Sequence, residues 1–143
     1  MKILKLFTRK RITGNRGEDI AQKFLKKHGY KILERNYVAN SYEIDIIAEN
    51  RDTLVFVEVK TRTDGQSNPK EPRPASSVTS EKQRKIINSA RSYIPFAQNK
   101  RYIRFDIIEV ILSADGKPVS ITHIESAFNS NTAFDRCHYH KNK

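Results

Sequence analysis

Apolar residues recur at intervals of three and four positions in two stretches of the chain, and this period predicts two amphipathic helices. The first covers residues 18–28, has acidic residues in its first turn and ends at Gly29. The second covers residues 81–94, with Ser80 as its expected N-cap and Pro95 at its end. Their apolar faces consist of Ile20, Ala21, Phe24 and Leu25 in the first helix, and of Ile86, Ile87, Ala90 and Ile94 in the second.

Five other stretches predict β-strands, because apolar and polar residues alternate in them or because an apolar run lies between turn residues. They cover residues 30–39, 42–49, 53–61, 101–112 and 118–124. The polar segment between the second and third strands is short enough for a hairpin, so these strands should be antiparallel neighbours. If the loop centres between Arg51 and Asp52, Asp45 lies opposite Glu58.

The chain length of 143 residues fits one compact α/β or α+β domain. We expect a basic N-terminal arm at residues 1–13, the domain at residues 14–128 and a disordered basic tail at residues 129–143. Residues 64–77 are rich in proline, glycine and serine and have no apolar period, which predicts a mobile basic loop.

The chain is strongly basic, with a formal net charge of +11 from 27 Lys and Arg against 16 Asp and Glu. Such a charge attracts polyanions and favours contacts with phosphate, so nucleic acid is the expected partner. An acidic membrane surface is the competing partner, since residues 1–7 have a short amphipathic pattern. No stretch approaches the roughly 20 apolar residues of a membrane-spanning helix, and a soluble, cytoplasmic protein without a membrane partner is expected.

The single cysteine, Cys137, lies near His138 and His140 in the polar tail. One cysteine and two crowded histidines lack the spacing of a structural zinc site. A frayed terminus is the plainer interpretation of this segment.

Three ionisable residues, Asp45, Glu58 and Lys60, lie on the apolar second and third strands. Alternation places Glu58 and Lys60 on one face of their strand. A charge on a buried strand is costly unless it is paired or binds a metal. Mg²⁺ or Mn²⁺, as one or two ions, could take oxygen ligands from Asp45, Glu58 and the backbone carbonyl of Val59. The alternative is a partly buried salt-bridge cluster.

Other candidates surround this set. Glu18 should lean from the first helix toward the sheet and complete a metal shell, although an acid in a first helical turn is favourable without any such role. Glu43 is a rim carboxylate, a supporting partner of the site or a solvated residue. Lys60 could hold the attacking water or stabilise charge on the phosphorane oxygens.

Basic and polar residues near these positions are candidates for contacts with nucleic-acid phosphates. They are Arg9, Lys10, Arg11, Arg16, Arg62, Lys82, Gln83 and Arg84. For Gln83 a capping box with Ser80 is an equally simple explanation.

Several motifs together resemble a known family. They are Gly14-x-x-Gly17-Glu18, Gly29-Tyr30-Lys31-Ile32-Leu33-x-x-Asn36, Glu43-Ile44-Asp45-Ile46-Ile47-Ala48, Phe56-Val57-Glu58-Val59-Lys60-Thr61-Arg62, Lys82-Gln83-Arg84 and Arg104-Phe105-Asp106. The set resembles the bacterial YraN-type family, which is similar to archaeal Holliday junction resolvases within the restriction-endonuclease-like superfamily. The resemblance covers residues 14–112 and implies a mixed β-sheet flanked by helices, in the order α-β-β-β-α-β-β.

The same resemblance implies a metal-dependent endonuclease, a hydrolase, with Glu18, Asp45, Glu58 and Lys60 in catalytic positions. The family usually has glycine where this chain has Tyr42, whose ring could crowd the start of the strand or stack on a nucleobase.

The resulting hypothesis is a DNA nuclease, with branched or structured DNA among its possible substrates. Its main rival is a catalytically silent DNA-binding module of the same fold, and a weaker one is an RNA-associated basic protein. A homodimer would suit an enzyme that cuts both strands of a junction.

Overall fold

The computed structural model describes residues 2–65, 78–97 and 102–129, and for residues 2–14 it describes the helical backbone alone. The elements in chain order are α1 (Lys2–Lys27), β1 (Lys31–Ala39), β2 (Tyr42–Asn50), β3 (Thr53–Thr63), α2 (Ser80–Tyr93), β4 (Tyr102–Leu112) and β5 (Pro118–Phe128). A short 3₁₀ turn, Ile94–Phe96, follows α2. The predicted element order is confirmed.

The five strands form one mixed sheet in the order β1-β2-β3-β4-β5. Neighbouring strands are antiparallel except β3 and β4, which are parallel. Parallel neighbours need a crossover connection, and α2 lies within this one. The protein therefore has the α/β architecture that the resemblance implied.

Each face of the sheet is covered by one helix. On the α2 face, Ile86 and Ala90 belong to a buried cluster with Leu54 and Phe56 of β3. On the α1 face, Ala21 and Leu25 belong to a second cluster with residues that include Val55 and Val57. Because side chains alternate along a strand, the continuation of β3 directs Glu58 and Lys60 toward the α2 face.

Helix α1 begins much earlier than predicted, since it is continuous from Lys2 through both Gly14 and Gly17. The prediction placed too much weight on these glycines, each of which costs only about 1 kcal/mol relative to alanine inside a helix. Gly17 is buried, and a Cβ atom added there would lie 2.9 Å from both Cβ and Cγ2 of Thr61 on β3. The boundaries given above for the N-terminal arm, the domain and the tail remain predictions.

The predicted cap of α2 was wrong by one residue. Thr79 is the N-cap, and its side chain accepts a hydrogen bond from the Lys82 amide at 3.2 Å. The Gln83 side chain donates to the Val78 carbonyl at 3.0 Å instead of forming a capping box with Ser80.

Strand β5 is also longer than predicted and continues to Phe128. The predicted mobile loop from residue 66 onward, nearly all of the predicted tail, and Cys137, His138 and His140 lie outside the described residues. Among the helices of the described segments, none has the length and apolar character needed to cross a membrane.

Candidate active site

The site forms where β2 and β3 separate. The backbones of β2 and β3 are paired from Asn50 opposite Thr53 to Ile46 opposite Val57, which confirms the predicted register. Asp45 and Glu58 are the next residues on the two strands. At this point Asp45 Oδ2 accepts a hydrogen bond from the Val59 amide at 2.8 Å. A side-chain carboxyl thus serves as the acceptor for a β3 backbone amide.

Burial and negative neighbours act together on Asp45. Burial, followed by the charge of Glu58, raises the pKa of the Asp45 carboxyl to about 8, although the hydrogen bond from Val59 opposes the shift. Glu18 contributes a smaller effect in the same direction. Ionised Asp45 is therefore favoured by any additional positive charge at this position.

Glu58 has two ammonium partners from different elements. Its carboxylate is buried, with 8% of the side chain exposed, and its Oε1 atom lies 2.8 Å from Lys82 Nζ and 3.7 Å from Lys60 Nζ. Lys60 is on β3, whereas Lys82 reaches the site from the first turn of α2. The closer ion pair joins the sheet to the helix.

The two lysines respond differently to this environment. Burial and the neighbouring Lys82 lower the pKa of Lys60, and the negative charge of Glu58 only partly offsets them. Burial would also lower the pKa of Lys82, but its hydrogen bond to Glu58 raises it above the usual value. Lys82 is consequently the more firmly protonated cation beside Glu58.

Tyr42 lies near the same carboxylate and is affected by its charge. Burial, together with the charge of Glu58, raises the pKa of its hydroxyl to about 12, while a side-chain hydrogen bond with Lys82 has the opposite effect. Its ring packs against the apolar cluster on the α2 face, and its carbonyl accepts a hydrogen bond from Ser89 Oγ at 3.2 Å. Tyr42 thus forms part of the wall of the site, and stacking on a nucleobase remains a prediction.

Glu18 faces the sheet, with 13% of its side chain exposed, and pairs with Arg35 Nη2 at 3.2 Å. When the Asn36 amide nitrogen is turned toward the acids, it donates to Glu18 Oε2 at 3.0 Å and to Glu43 Oε1 at 2.9 Å. Asn36 has a φ angle of 52°, a left-handed conformation that asparagine tolerates better than most residues. Glu18 and Glu43 are therefore linked through β1.

In the described segments, His, Cys, Asp and Glu side chains do not converge in groups of three or more that could hold a metal ion. The remaining donor set is Asp45, Glu58 and the Val59 carbonyl, which matches the preference of Mg²⁺ for oxygen and for only one or two carboxylates. The Lys82 ammonium already supplies a positive charge at this position, 2.8 Å from Glu58. The chemistry of these oxygen donors suits a divalent cation, and the binding of one remains a prediction.

Several predicted phosphate contacts already have partners within the protein. Arg62 Nε lies 3.6 Å from Glu109 Oε1, and Arg16 Nε donates to the Gly116 carbonyl. Arg84 is exposed on α2. The side chains of Arg9, Lys10 and Arg11 lie outside the described part of the chain. Nucleic-acid contact by any member of this group remains a prediction.

Residues 17–110 match the sequence profile of Uncharacterised protein family UPF0102. The chain belongs to this family. It is 45% identical over 114 residues to a UPF0102 protein of Clostridium perfringens, with 78% of this chain and 89% of the relative covered. It is 44% identical over 116 residues to one of Geobacter metallireducens, with 80% and 90% covered.

A UPF0102 protein of Caldanaerobacter subterraneus subsp. tengcongensis is 43% identical over 121 residues, with 83% of this chain and 96% of the relative covered. These matches confirm the YraN-type resemblance. The span that matches UPF0102 includes Glu18, Asp45, Glu58 and Lys60. Membership of UPF0102 by itself assigns no activity, because a fold can host several functions.

Sequence reasoning gave no role to Asn36 and did not predict the contact between Lys82 and Glu58. It also gave no role to Asp106, a fully buried carboxylate that lies 2.8 Å from Arg104 and 2.7 Å from His123. A signal was present in the sequence for Asn36 and for Asp106. Asn36 belongs to one of the motifs that carry the YraN-type resemblance, and Asp106 interrupts an apolar strand two residues after an arginine.

Proposed function

We propose that the protein is a metal-dependent nuclease that hydrolyses phosphodiester bonds in DNA. The observation that carries this proposal is the meeting of Asp45, Glu58 and Lys60 at the point where β2 and β3 separate. The net charge of +11 supports a polyanionic substrate. Branched or structured DNA is the substrate class that the family resemblance suggests.

Asp45, Glu58 and the Val59 carbonyl would hold Mg²⁺ or Mn²⁺. The ion would supply positive charge that polarises the phosphate and makes a water molecule a stronger acid. Asp45 suits this role because its carboxyl already lies beside the Glu58 carboxylate and is held by the Val59 amide.

The protein side chains position the other reactants. Lys60 lies on the same strand face as Glu58, so its ammonium can donate to a water oxygen or to a phosphate oxygen. In the hydrolysis, the water oxygen forms a bond to phosphorus, the bond from phosphorus to the leaving oxygen breaks, and a water proton passes to the leaving oxygen. Glu18 stays at the edge of the site through Arg35 and Asn36.

A catalytically silent DNA-binding module is the second candidate function. It is favoured by the ion pairs of Glu58 with Lys60 and Lys82, because a fully paired carboxylate can be stable without a metal. Both functions predict salt-sensitive DNA binding. Only the nuclease predicts saturable Mg²⁺ or Mn²⁺ binding that Asp45→Ala abolishes.

The test incubates purified protein with single-stranded, duplex, flapped and four-way-junction DNA in Mg²⁺ or Mn²⁺. Glu58→Ala and Lys60→Ala should each reduce cleavage by about 100-fold or more. Glu81→Ala and Lys85→Ala are matched controls, since these residues form an exposed ion pair on α2, and they should retain activity. Equal cleavage by the wild type and the two site variants would point to a contaminating nuclease and contradict the assignment.

A further inference from the structure

We propose that Lys82 is the counter-ion that a divalent cation displaces from Glu58, and that the released ammonium then contacts the substrate phosphate. The second step rests on the proposed nuclease function. The first concerns only metal binding and can be tested without DNA.

The geometry distinguishes Lys82 from Lys60. Both ammonium groups face Glu58 Oε1, but Lys82 is at hydrogen-bonding distance, 2.8 Å, whereas Lys60 is at 3.7 Å. A divalent cation ligated by Glu58 would place two positive charges next to this ammonium. Repulsion at such short range is strong in a site shielded from water, so the ion and the tight Lys82 contact exclude one another.

The backbone of Lys82 is fixed while its side chain retains freedom. Its amide donates to Thr79 Oγ1, and the neighbouring Gln83 side chain donates to the Val78 carbonyl. The Lys82 side chain is 29% exposed and ends a flexible four-carbon stem. The ammonium can therefore leave Glu58 without unfolding the first turn of α2.

Displacement would leave Lys82 beside an anionic ligand. A divalent cation held by Asp45 and Glu58 would largely neutralise their negative charge, and the substrate phosphate would then be the nearest anionic partner for Lys82. A protonated lysine binds phosphate as a point charge with three donors. Lys82 is thus a catalytic residue in this proposal, distinct from a peripheral DNA contact.

The first measurement titrates metal-stripped full-length protein with MnCl₂ by isothermal titration calorimetry. Lys82→Met should bind Mn²⁺ at least about threefold more tightly than the wild type, because the competing cation is gone. Lys85→Met removes the same charge from the exposed face of α2 and should bind like the wild type. Unchanged or weaker binding by a folded Lys82→Met variant would overturn the proposal.

The second measurement uses Ca²⁺ as a probe ion and follows fluorescein-labelled duplex DNA by anisotropy. The gain in DNA affinity caused by Ca²⁺ should be at least about threefold smaller in Lys82→Met than in the wild type or Lys85→Met. An equal gain in all three proteins would overturn the phosphate contact. If the wild type binds no divalent ion, both this inference and the metal-dependent nuclease fail. If the wild type binds a divalent ion and Lys82→Met binds it with the same affinity, this inference fails and the nuclease proposal survives.

Chemical rescue distinguishes the loss of the Lys82 ammonium from misfolding of the variant. In a Cys137→Ser background, Lys82→Cys can be alkylated with 2-bromoethylamine, which restores an ammonium, or with iodoacetamide, which does not. The aminoethylated protein should regain wild-type Mn²⁺ affinity and the full DNA gain in Ca²⁺, whereas the iodoacetamide product should resemble Lys82→Met. Identical behaviour of the two products would contradict the counter-ion role.

Discussion

The Asp45 carboxyl accepts a backbone hydrogen bond from β3 and also lies beside another carboxylate. These two properties oppose one another, because the first favours ionisation and the second disfavours it. Burial decides the balance, and the pKa of Asp45 rises to about 8. In the absence of metal, ionised Asp45 therefore destabilises the folded protein.

Asp45→Asn should stabilise the metal-free protein at high pH. A folded pKa of about 8 exceeds the unfolded value of about 3.9, so the native state binds more protons than the unfolded state between these limits. The contribution of Asp45 to wild-type stability consequently falls as pH rises from about 4 to about 8. In EDTA at about pH 8, urea denaturation should give Asp45→Asn a free energy of unfolding about 1–3 kcal/mol above the wild type, with a smaller difference at about pH 5.

Asp52→Asn is the control for this experiment, since Asp52 is exposed in the turn between β2 and β3. It should change stability by less than about 0.5 kcal/mol at either pH. A variant Asp45→Asn that is less stable than the wild type at about pH 8 would contradict the electrostatic explanation.

Sequence reasoning identified the Asp45, Glu58 and Lys60 set because strand alternation and a short turn are local signals. Such local signals could not predict the contact between Lys82 and Glu58. It depends on where α2 lies along the strands, which is decided by the packing of Ile86 and Ala90 against the sheet. The proline-rich segment between β3 and α2 has no apolar period from which the position of α2 along the strands could be predicted.

Asp106 should be a major contributor to stability. Its fully buried carboxylate contacts Arg104, His123 and the Ser126 amide. Burial alone would raise its pKa, but these hydrogen bonds lower the pKa below the usual value. Its stabilising effect is therefore present above the unfolded pKa and is lost as pH falls through the folded pKa.

Asp106→Asn is expected to lower the free energy of unfolding at neutral pH by about 3 kcal/mol, because it removes one partner from a buried ionic cluster. Denaturant unfolding measures the change, again with Asp52→Asn as the exposed control. A loss below about 1 kcal/mol would mean that the cluster is compensated by solvent or by rearrangement.

At the level of elements, α1 can approach β3 closely because Gly17 has no side chain. This close approach brings the adjacent residue, Glu18, to the edge of the site. The sequence suggested a helix near this point but not its early start, because local propensity treats glycine as a terminator. Only the packing against Thr61 explains why a glycine is suitable inside the helix.

Gly17→Ala should destabilise the protein although alanine is the better helix former. Overpacking against Thr61 should cost about 1–3 kcal/mol, which outweighs a gain of about 1 kcal/mol in helix propensity. Thr61→Ala in the same chain removes Oγ1 and Cγ2 and should recover part of the loss. A double-mutant cycle by denaturant unfolding measures the coupling, and additive effects of the two substitutions would contradict the contact.

At the scale of the whole molecule, the net charge of +11 predicts DNA binding dominated by phosphate contacts. Affinity should fall linearly on a log–log plot against salt concentration. Arg84→Ala, on the exposed first part of α2, should reduce that slope by about one. Lys27→Ala, an exposed residue at the last position of α1, removes the same charge and should leave the slope nearly unchanged. Equal slopes in Arg84→Ala and the wild type would exclude Arg84 from the interface.

The hydrogen bond between the Val59 amide and Asp45 gives one backbone position a chemically adjustable acceptor. Most amides of a sheet face carbonyl oxygens, whose charge does not change under ordinary solution conditions. In a ¹⁵N-labelled sample, the Val59 resonance should therefore move with both pH and Mg²⁺, and it should move less in Asp45→Asn. A single cross-peak can thus report both the protonation of Asp45 and the binding of a metal ion between the two strands.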